Sequence, residues 1–268
     1  MMSESVAEIK KQLEEAASLP SFIAKYEADE RRGVQSLVQK AKKQWIALQK
    51  EEERIEKMKF FEKKYAEYAL ICGIDEVGRG PLAGPVCAGA VILPRDHDIL
   101  YLNDSKKLTE TKRKELDQVI RRESIAYATA FVSPGRIDEI NILEATKEAM
   151  VKALRRLFPG AVAEDPEKRK EEARVKPDLL LIDALHLSSL PDIKQVSIIK
   201  GDEKSVSIAA ASILAKVKRD HLMEKYAQIY PVYGFASNKG YGTEAHREAI
   251  LKYGPCPIHR RTFIGNLV

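Results

Sequence analysis

The sequence predicts an α/β fold, a mixed β-sheet flanked by helices, preceded by an N-terminal helical extension. Three observations carry this. Short apolar runs rich in Val, Ile and Leu recur from Leu70 onward. They begin as a close pair and later alternate with helical patterns, which suggests a mixed sheet. Upstream of Ala69 the pattern is helical, with no strand signal.

Residues 1–69 are expected to be helical throughout. Ser5 and Glu8 make an S-x-x-E capping box, with Val6, Ile9 and Leu13 at helical spacing. After "SLPS" and Gly33, an apolar stripe runs through Val34, Leu37, Val38, Ala41, Trp45 and Leu48. Residues 31–50 hold six basic residues (Arg31, Arg32, Lys40, Lys42, Lys43, Lys50) and no acid. Two readings stay open for this extension. It is a helical hairpin that adds affinity for a nucleic-acid duplex, or a solvated helix pair packed on the main domain. A domain boundary is placed near Ala69, where polarity shifts, giving an extension 1–69 and a main domain 70–268.

In the main domain, "LICGID" (70–75), "PVCAGAVIL" (85–93), "IAYATAFV" (125–132), "DLLLID" (178–183) and "QVSIIK" (195–200) read as strands. Helical patterns cover 111–123, 136–157, 206–229 and 244–252. The run "AEDPEKRKEEARVKP" (163–177) reads as a charged surface insertion.

Composition excludes some classes. Hydrophobic residues make up 44% and charged residues 32%, as in globular proteins. No apolar run approaches the roughly 20 residues of a membrane span. The first residues, "MMSESVAEIKKQLEEAA", lack the apolar core of a signal peptide. Cys72, Cys87 and Cys256 are few and not in metal-ligand pairs, which suits a reducing compartment. A cytoplasmic location is expected, with no membrane partner, and the working expectation is a monomer. Net charge is +5, a mild tilt toward nucleic acid.

Acids close three of the apolar runs: Asp75 after "LICGI", Asp183 after "LLLI", and Asp202 just beyond "SIIKG". Ligands of open α/β sheets gather at the carboxyl ends of strands. Carboxylates crowded there raise one another's pKa, and a divalent cation relieves that. All-oxygen ligation favours Mg²⁺ or Mn²⁺. Two such ions ~3.5–4 Å apart activate a water and stabilise the leaving oxygen in phosphodiester hydrolysis. The alternative is that these acids are solvated strand ends or helix caps. Asp75 and Glu76 are adjacent, so both face one site only if the strand ends or bends there, which Gly78 and Gly80 permit. Gly78, Gly80 and Ala83 also fit G-x-G-x-x-A. Dinucleotide binding needs a helix directly after the glycines, whereas Pro81, Pro85 and a strand-like run follow.

Seven motifs occur in order: "GIDEVGRGPLAGPV" (73–86), "DSKKL" (104–108), "NILEATKEAM" (141–150), "LLLID" (179–183), "KGDEKSVSIAAASILAKVKRD" (200–220), "GYGTEAHREAI" (240–250) and "HRRTF" (259–263). Together they resemble bacterial ribonuclease HII, a type 2 ribonuclease H, over roughly 70–263. The resemblance implies a ribonuclease H-like fold. It implies an endoribonuclease that hydrolyses the RNA strand of RNA/DNA hybrids and incises 5′ to single ribonucleotides in duplex DNA. Two-metal-ion hydrolysis with Mn²⁺ or Mg²⁺ is expected, leaving 3′-hydroxyl and 5′-phosphate ends. The implied catalytic and metal-holding carboxylates are Asp75, Glu76, Asp183 and Asp202.

The same resemblance assigns Gly78, Arg79, Gly80 and Tyr241 to reading the 2′-hydroxyl and the junction to DNA. The chemistry suits them. The 2′-hydroxyl distinguishes RNA from DNA. Glycine lets the main chain approach a sugar, Arg forks onto phosphate, and Tyr offers a ring and a hydroxyl. On its residues alone, Tyr241 reads as a core or turn aromatic. Lys106 and Lys107 are phosphate contacts or solvated lysines, and Ser205 is a candidate nucleic-acid contact. The small face Ala209, Ala210, Ala211, Ser212 and Ala215 reads as structural packing, and Asp220 as an ion-pair partner of an arginine. His246 and His259 are expected in structural hydrogen bonds, with a role for His246 near the site as the lesser alternative. Ribonuclease HIII shares the fold and carboxylates, but lacks this arginine and the following "PLAGP", and its extension is α/β. A non-catalytic binder on the same fold is the other alternative, against which the four intact acids argue.

Overall fold

The computed structural model describes residues 4–159, 175–265 and 267. The expected insertion at 163–177 therefore lies, as far as residue 174, outside the described residues. Contacts divide the chain into two compact units between Lys57 and Met58. That point is upstream of the polarity shift near Ala69, because Phe61, Tyr65 and Tyr68 pack with Leu179 and Leu181 of the second unit.

The first unit contains α1 (Val6–Glu14), α2 (Leu19–Tyr26) and most of α3 (Arg32–Met58). The capping box forms as expected: Ser5 Oγ accepts from Glu8 N–H, and the Glu8 carboxylate accepts from Ser5 N–H at 2.7 Å. One helix more than a hairpin is present. Ser18 caps α2 and Pro20 occupies its first turn, where a proline costs no hydrogen bond. Ile9, Leu13, Phe22, Ile23, Tyr26, Val34, Val38 and Ala41 form one buried cluster. The unit thus has its own core.

The second unit begins with α4 (Phe60–Lys64), β1 (Ile71–Val77), β2 (Val86–Ile92), α5 (Glu110–Glu123) and β3 (Ala126–Val132). It continues through α6 (Pro134–Leu154), β4 (Phe158–Pro159), β5 (Leu179–Asp183), β6 (Lys194–Ile198), α7 (Val206–Ile229), α8 (Phe235–Asn238), α9 (Glu244–Tyr253) and α10 (Arg261–Ile264). The six-stranded sheet has the order β4-β3-β2-β1-β5-β6. Strands β1 to β4 pair antiparallel, whereas β1, β5 and β6 run parallel. β1 therefore sits where the two kinds of pairing meet. Ile74 lies opposite Ile182, so Asp75 and Asp183 are the next residues along two adjacent parallel strands.

All seven residues of β2 are buried, because helices cover both its faces. Val86, Ala88, Ala90 and Ile92 pack with Ala145, Ala149 and Met150 of α6. Gly89, on the opposite face, meets α7, and a Cβ there would stand 2.2 Å from Ala211 O. The small face of α7 is thus packing surface, as the sequence suggests. The expected continuous helix over 136–157 is broken. Asn141 adopts φ 66°, and its Oδ1 accepts from the N–H groups of Leu143 and Glu144, restarting α6. Asn tolerates the left-handed region and caps well. Among the described residues, no helix is long and apolar enough to cross a membrane.

Candidate active site

Two parallel strand ends and one turn bring the predicted acids together. Asp75 and Glu76 lie near the end of β1, Asp183 ends β5, and Asp202 sits in a 3-10 turn, Gly201–Glu203, after β6. Lys200, with φ 56°, turns the chain into that segment. Gly201 N–H then donates to Asp183 Oδ1 at 2.7 Å.

Each perturbed acid reports its neighbours. Burial raises Asp75 well above the usual carboxylate range, and Glu76, Asp183 and Asp202 all push the same way. Burial also raises Glu76, against the pull of Arg79, whose Nη1 donates to Glu76 Oε1 at 3.3 Å. Asp202 rises to about 6, first through burial and then through Asp104 and Asp183. Among the described residues, no three His, Cys, Asp or Glu side chains already stand at metal-ligating spacing. The donor set nonetheless suits a hard divalent cation: it is all oxygen and mutually repelling, and Glu76 Oε2 is buried with no hydrogen-bond partner.

Glu76, Gly78, Arg79, Gly80, Lys106 and Tyr241 line one open cleft. A Cβ built on Gly80 would stand 3.7 Å from Tyr241 Cε1, so the glycine loop faces the tyrosine ring. Tyr241 is 43% exposed and is not a core aromatic. Burial pulls the Lys106 ammonium down, but Asp104, Asp202 and Asp75 outweigh it and hold the group above its ordinary value. Lys107 pairs with Glu203 at 3.0 Å, next to Asp202.

Ser205 lies elsewhere. It is fully buried. Its Oγ caps α7 by accepting from Ile208 N–H at 3.2 Å and donates to Glu62 Oε1 at 2.6 Å. The expected contact with nucleic acid needs a surface that Ser205 does not have. Asp220 is an ion-pair partner as expected, with Lys216 at 2.7 Å in place of an arginine.

Two fully buried arginines support the cleft from behind and were not singled out in the sequence. Arg260 donates to the carbonyls of Gly78 (2.5 Å), Arg79 (2.7 Å) and Gly84 (3.0 Å). Arg219 donates to Pro85 O (2.9 Å), Ala83 O (3.1 Å) and Lys239 O (2.8 Å), tying the glycine loop to the segment before Tyr241. Burial, then Arg219, lowers Arg260 to about 9, so it stays charged near neutral pH. Asp104 is a further group that no sequence pattern marks. It sits beside the lysines of "DSKKL" and raises Asp202.

Known proteins resemble this chain in sequence and in fold. The ribonuclease HII family model matches residues 72–266, and the ribonuclease HII N-terminal domain model matches residues 5–66. A ribonuclease HII from Caldanaerobacter subterraneus subsp. tengcongensis is 52% identical over 223 residues, 82% of this chain and 86% of that protein. Another, from Lachnoclostridium phytofermentans, is 48% identical over 268 residues and 99% of both chains. Among solved structures, the ribonuclease H2 of Pyrococcus horikoshii matches with a TM-score of 0.58 at 29% identity, covering 74% of this chain and 96% of that one.

Proposed function

Because the chain belongs to the ribonuclease HII family, we propose that its endoribonuclease activity on RNA/DNA hybrids is centred on Asp75, Glu76, Asp183 and Asp202. We further propose that it incises 5′ to single ribonucleotides in duplex DNA, leaving 3′-hydroxyl and 5′-phosphate ends. The observation behind this is the convergence of four carboxylates, three with raised pKa, beside a glycine loop facing an exposed tyrosine.

The four carboxylates would hold Mn²⁺ or Mg²⁺. When bound, such ions offset the acids' charge, acidify the attacking water and stabilise the leaving oxygen. The chain's own residues do the rest. Lys106, kept protonated by its acidic neighbours, attracts the scissile phosphate region. Arg79 releases or shares Glu76 and forks onto an adjacent phosphate. Gly78, Gly80 and the Tyr241 ring bracket the sugar, where a 2′-hydroxyl finds both donors and acceptors. Lys107 holds the turn carrying Asp202 through Glu203. Ser205 and Glu62 act at one remove, by fixing the start of α7.

The first unit supports a second duplex contact. Arg32, Lys40, Lys43 and Lys50 are exposed. Arg31 and Lys42 are engaged with Asp29 and Glu27. We take the acting species to be a monomer.

The direct test is incubation with a DNA duplex containing one ribonucleotide, and with an RNA/DNA hybrid, each with Mn²⁺ or Mg²⁺. Incision 5′ to the ribonucleotide is expected, with loss in Asp75→Asn. Absence of cleavage with either ion on either substrate overturns the proposal.

A further inference from the structure

Behind Tyr241 lies a pair of buried histidines that the proposed chemistry does not use. His246 is fully buried and His259 is 2% exposed. His246 Nδ1 is 2.8 Å from Tyr241 O, and His246 Nε2 is 3.0 Å from His259 Nε2. The backbone N of Cys256 is 2.9 Å from His259 Nδ1.

With both rings neutral, these contacts admit one arrangement of protons. A carbonyl only accepts, so His246 Nδ1 carries its hydrogen and donates to Tyr241 O. His246 Nε2 is then a lone pair, and His259 must donate from Nε2. His259 Nδ1 is left bare and accepts the Cys256 N–H. The Cys256 thiol, 3.1 Å from the same nitrogen, also fits as a donor. In the opposite arrangement, His259 Nδ1 would donate to Cys256 O at 3.3 Å, and His246 would turn a lone pair on the Tyr241 carbonyl. That is repulsive. Surroundings favour neutral rings: Tyr233 lies 4.9 Å from His259 and Phe235 lies 5.3 Å from His246, ring centre to ring centre. Burial lowers both histidines, His259 to about 4.

Tyr241 needs such an anchor. It lies between Gly240, with φ +88°, and Gly242, so side-chain sterics do little to set the main chain on either side. Its carbonyl accepts from Thr243 N–H at 2.9 Å as well as from His246.

We propose that His246 and His259 are positioning residues for substrate recognition. They form a two-imidazole chain that runs from the Cys256 main chain to the Tyr241 carbonyl and holds the Tyr241 ring opposite Gly80. This rests on the reading of Tyr241 as a substrate contact.

The test uses geometry that separates the two ring nitrogens. His246→Asn places an amide N–H near the position of Nδ1 and keeps the bond to Tyr241. His246→Gln places it near Nε2 and loses that bond. The assay is steady-state incision by full-length enzyme with Mn²⁺ on a duplex containing one ribonucleotide. His246→Gln is expected to raise KM about tenfold with kcat within about twofold, while His246→Asn recovers most of the loss. In a Tyr241→Ala background, His246→Gln is expected to add less than about twofold.

Equal KM values for the Asn and Gln variants, both normal or both raised, overturn the proposal, as does a full additional effect in the Tyr241→Ala background. A Tyr241→Ala variant with unchanged KM overturns the reading of Tyr241 instead, and the proposal with it. Thermal melts check folding. Should the His246 variants not fold, His259→Gln, which keeps the Nε2 donor, is compared with His259→Asn, which does not. The same ordering is expected, and its absence overturns the proposal.

Discussion

Gly201 donates its backbone N–H to Asp183 Oδ1 at 2.7 Å, so the end of β5 and the turn bearing Asp202 are coupled. Asp183→Asn can keep that bond through its amide oxygen while losing the charge. Asp183→Ala loses both. Both variants are expected to lose more activity than the roughly 10–100-fold that removal of a supporting group costs a metal site. Only Asp183→Ala should also lower the melting temperature. Incision rates and melts on the two variants check this. An Asn variant as unstable as the Ala variant would show the bond to be incidental.

The acids repel one another in the metal-free protein, so removing one should stabilise the fold while ending activity. Asp75→Asn is expected to melt higher than wild type without divalent ions, because Asp75 is buried beside three other acids. A lower melting temperature would mean that repulsion is not the dominant effect at this position.

The same repulsion fixes a pH dependence. Asp202 titrates at about 6 in the fold, above the value of an unfolded aspartate. A raised carboxylate makes the folded state hold the extra proton. Stability from that proton is present at low pH and is lost as pH rises through about 6. Mg²⁺ should therefore raise the melting temperature more at about pH 8 than at about pH 5, since it competes with protons for the same oxygens. Melts with and without Mg²⁺ at both pH values decide this, and equal shifts would count against a cation held by these acids.

Arg260→Met strips donors from three carbonyls at once. A loss on the order of 2–5 kcal/mol in denaturant melts is expected, together with a higher KM for ribonucleotide-containing duplex. Arg260→Lys should recover only part, because an ammonium lacks the planar fork. Lower stability with an unchanged KM would confine Arg260 to the fold.

In the first unit, Lys40, Lys43 and Lys50 are exposed along α3. Changing all three to Glu should weaken duplex binding and flatten its dependence on salt, by up to roughly 0.9 in the log–log slope per lost phosphate contact. An unchanged slope would leave this unit without a role in binding.

The nearness of Asp75, Glu76 and Asp183 is legible in the chain because they lie at the ends of apolar strands, and strand ends show in hydrophobic runs. Tyr241 needed the whole ordered set of motifs, since a single tyrosine between glycines has no distinctive pattern. Arg260 was not legible. It stands beside Arg261 in "HRRTF", and only burial separates them: Arg260 is inside and Arg261 is exposed. Asp104 was masked by the lysines that follow it. Two further local signals are present in the sequence. Ser205 directly precedes the helical pattern, where a serine is a cap before it is a ligand contact. Asn141 and Glu144 have the spacing of a cap inside an apparently continuous helix.

The clamp of Arg260 on the glycine loop has a directional consequence. A trans peptide unit carries its oxygen and its amide hydrogen on opposite sides. Drawing the oxygens of Gly78 and Arg79 inward turns the amide hydrogens of Arg79 and Gly80 the other way. The polarity of this face of the cleft is then a property of the main chain, held from inside the protein by a fully buried residue. Gly78, at φ +94° with no room for a Cβ beside Arg219, and the buried guanidinium of Arg260 together set which way those amides point.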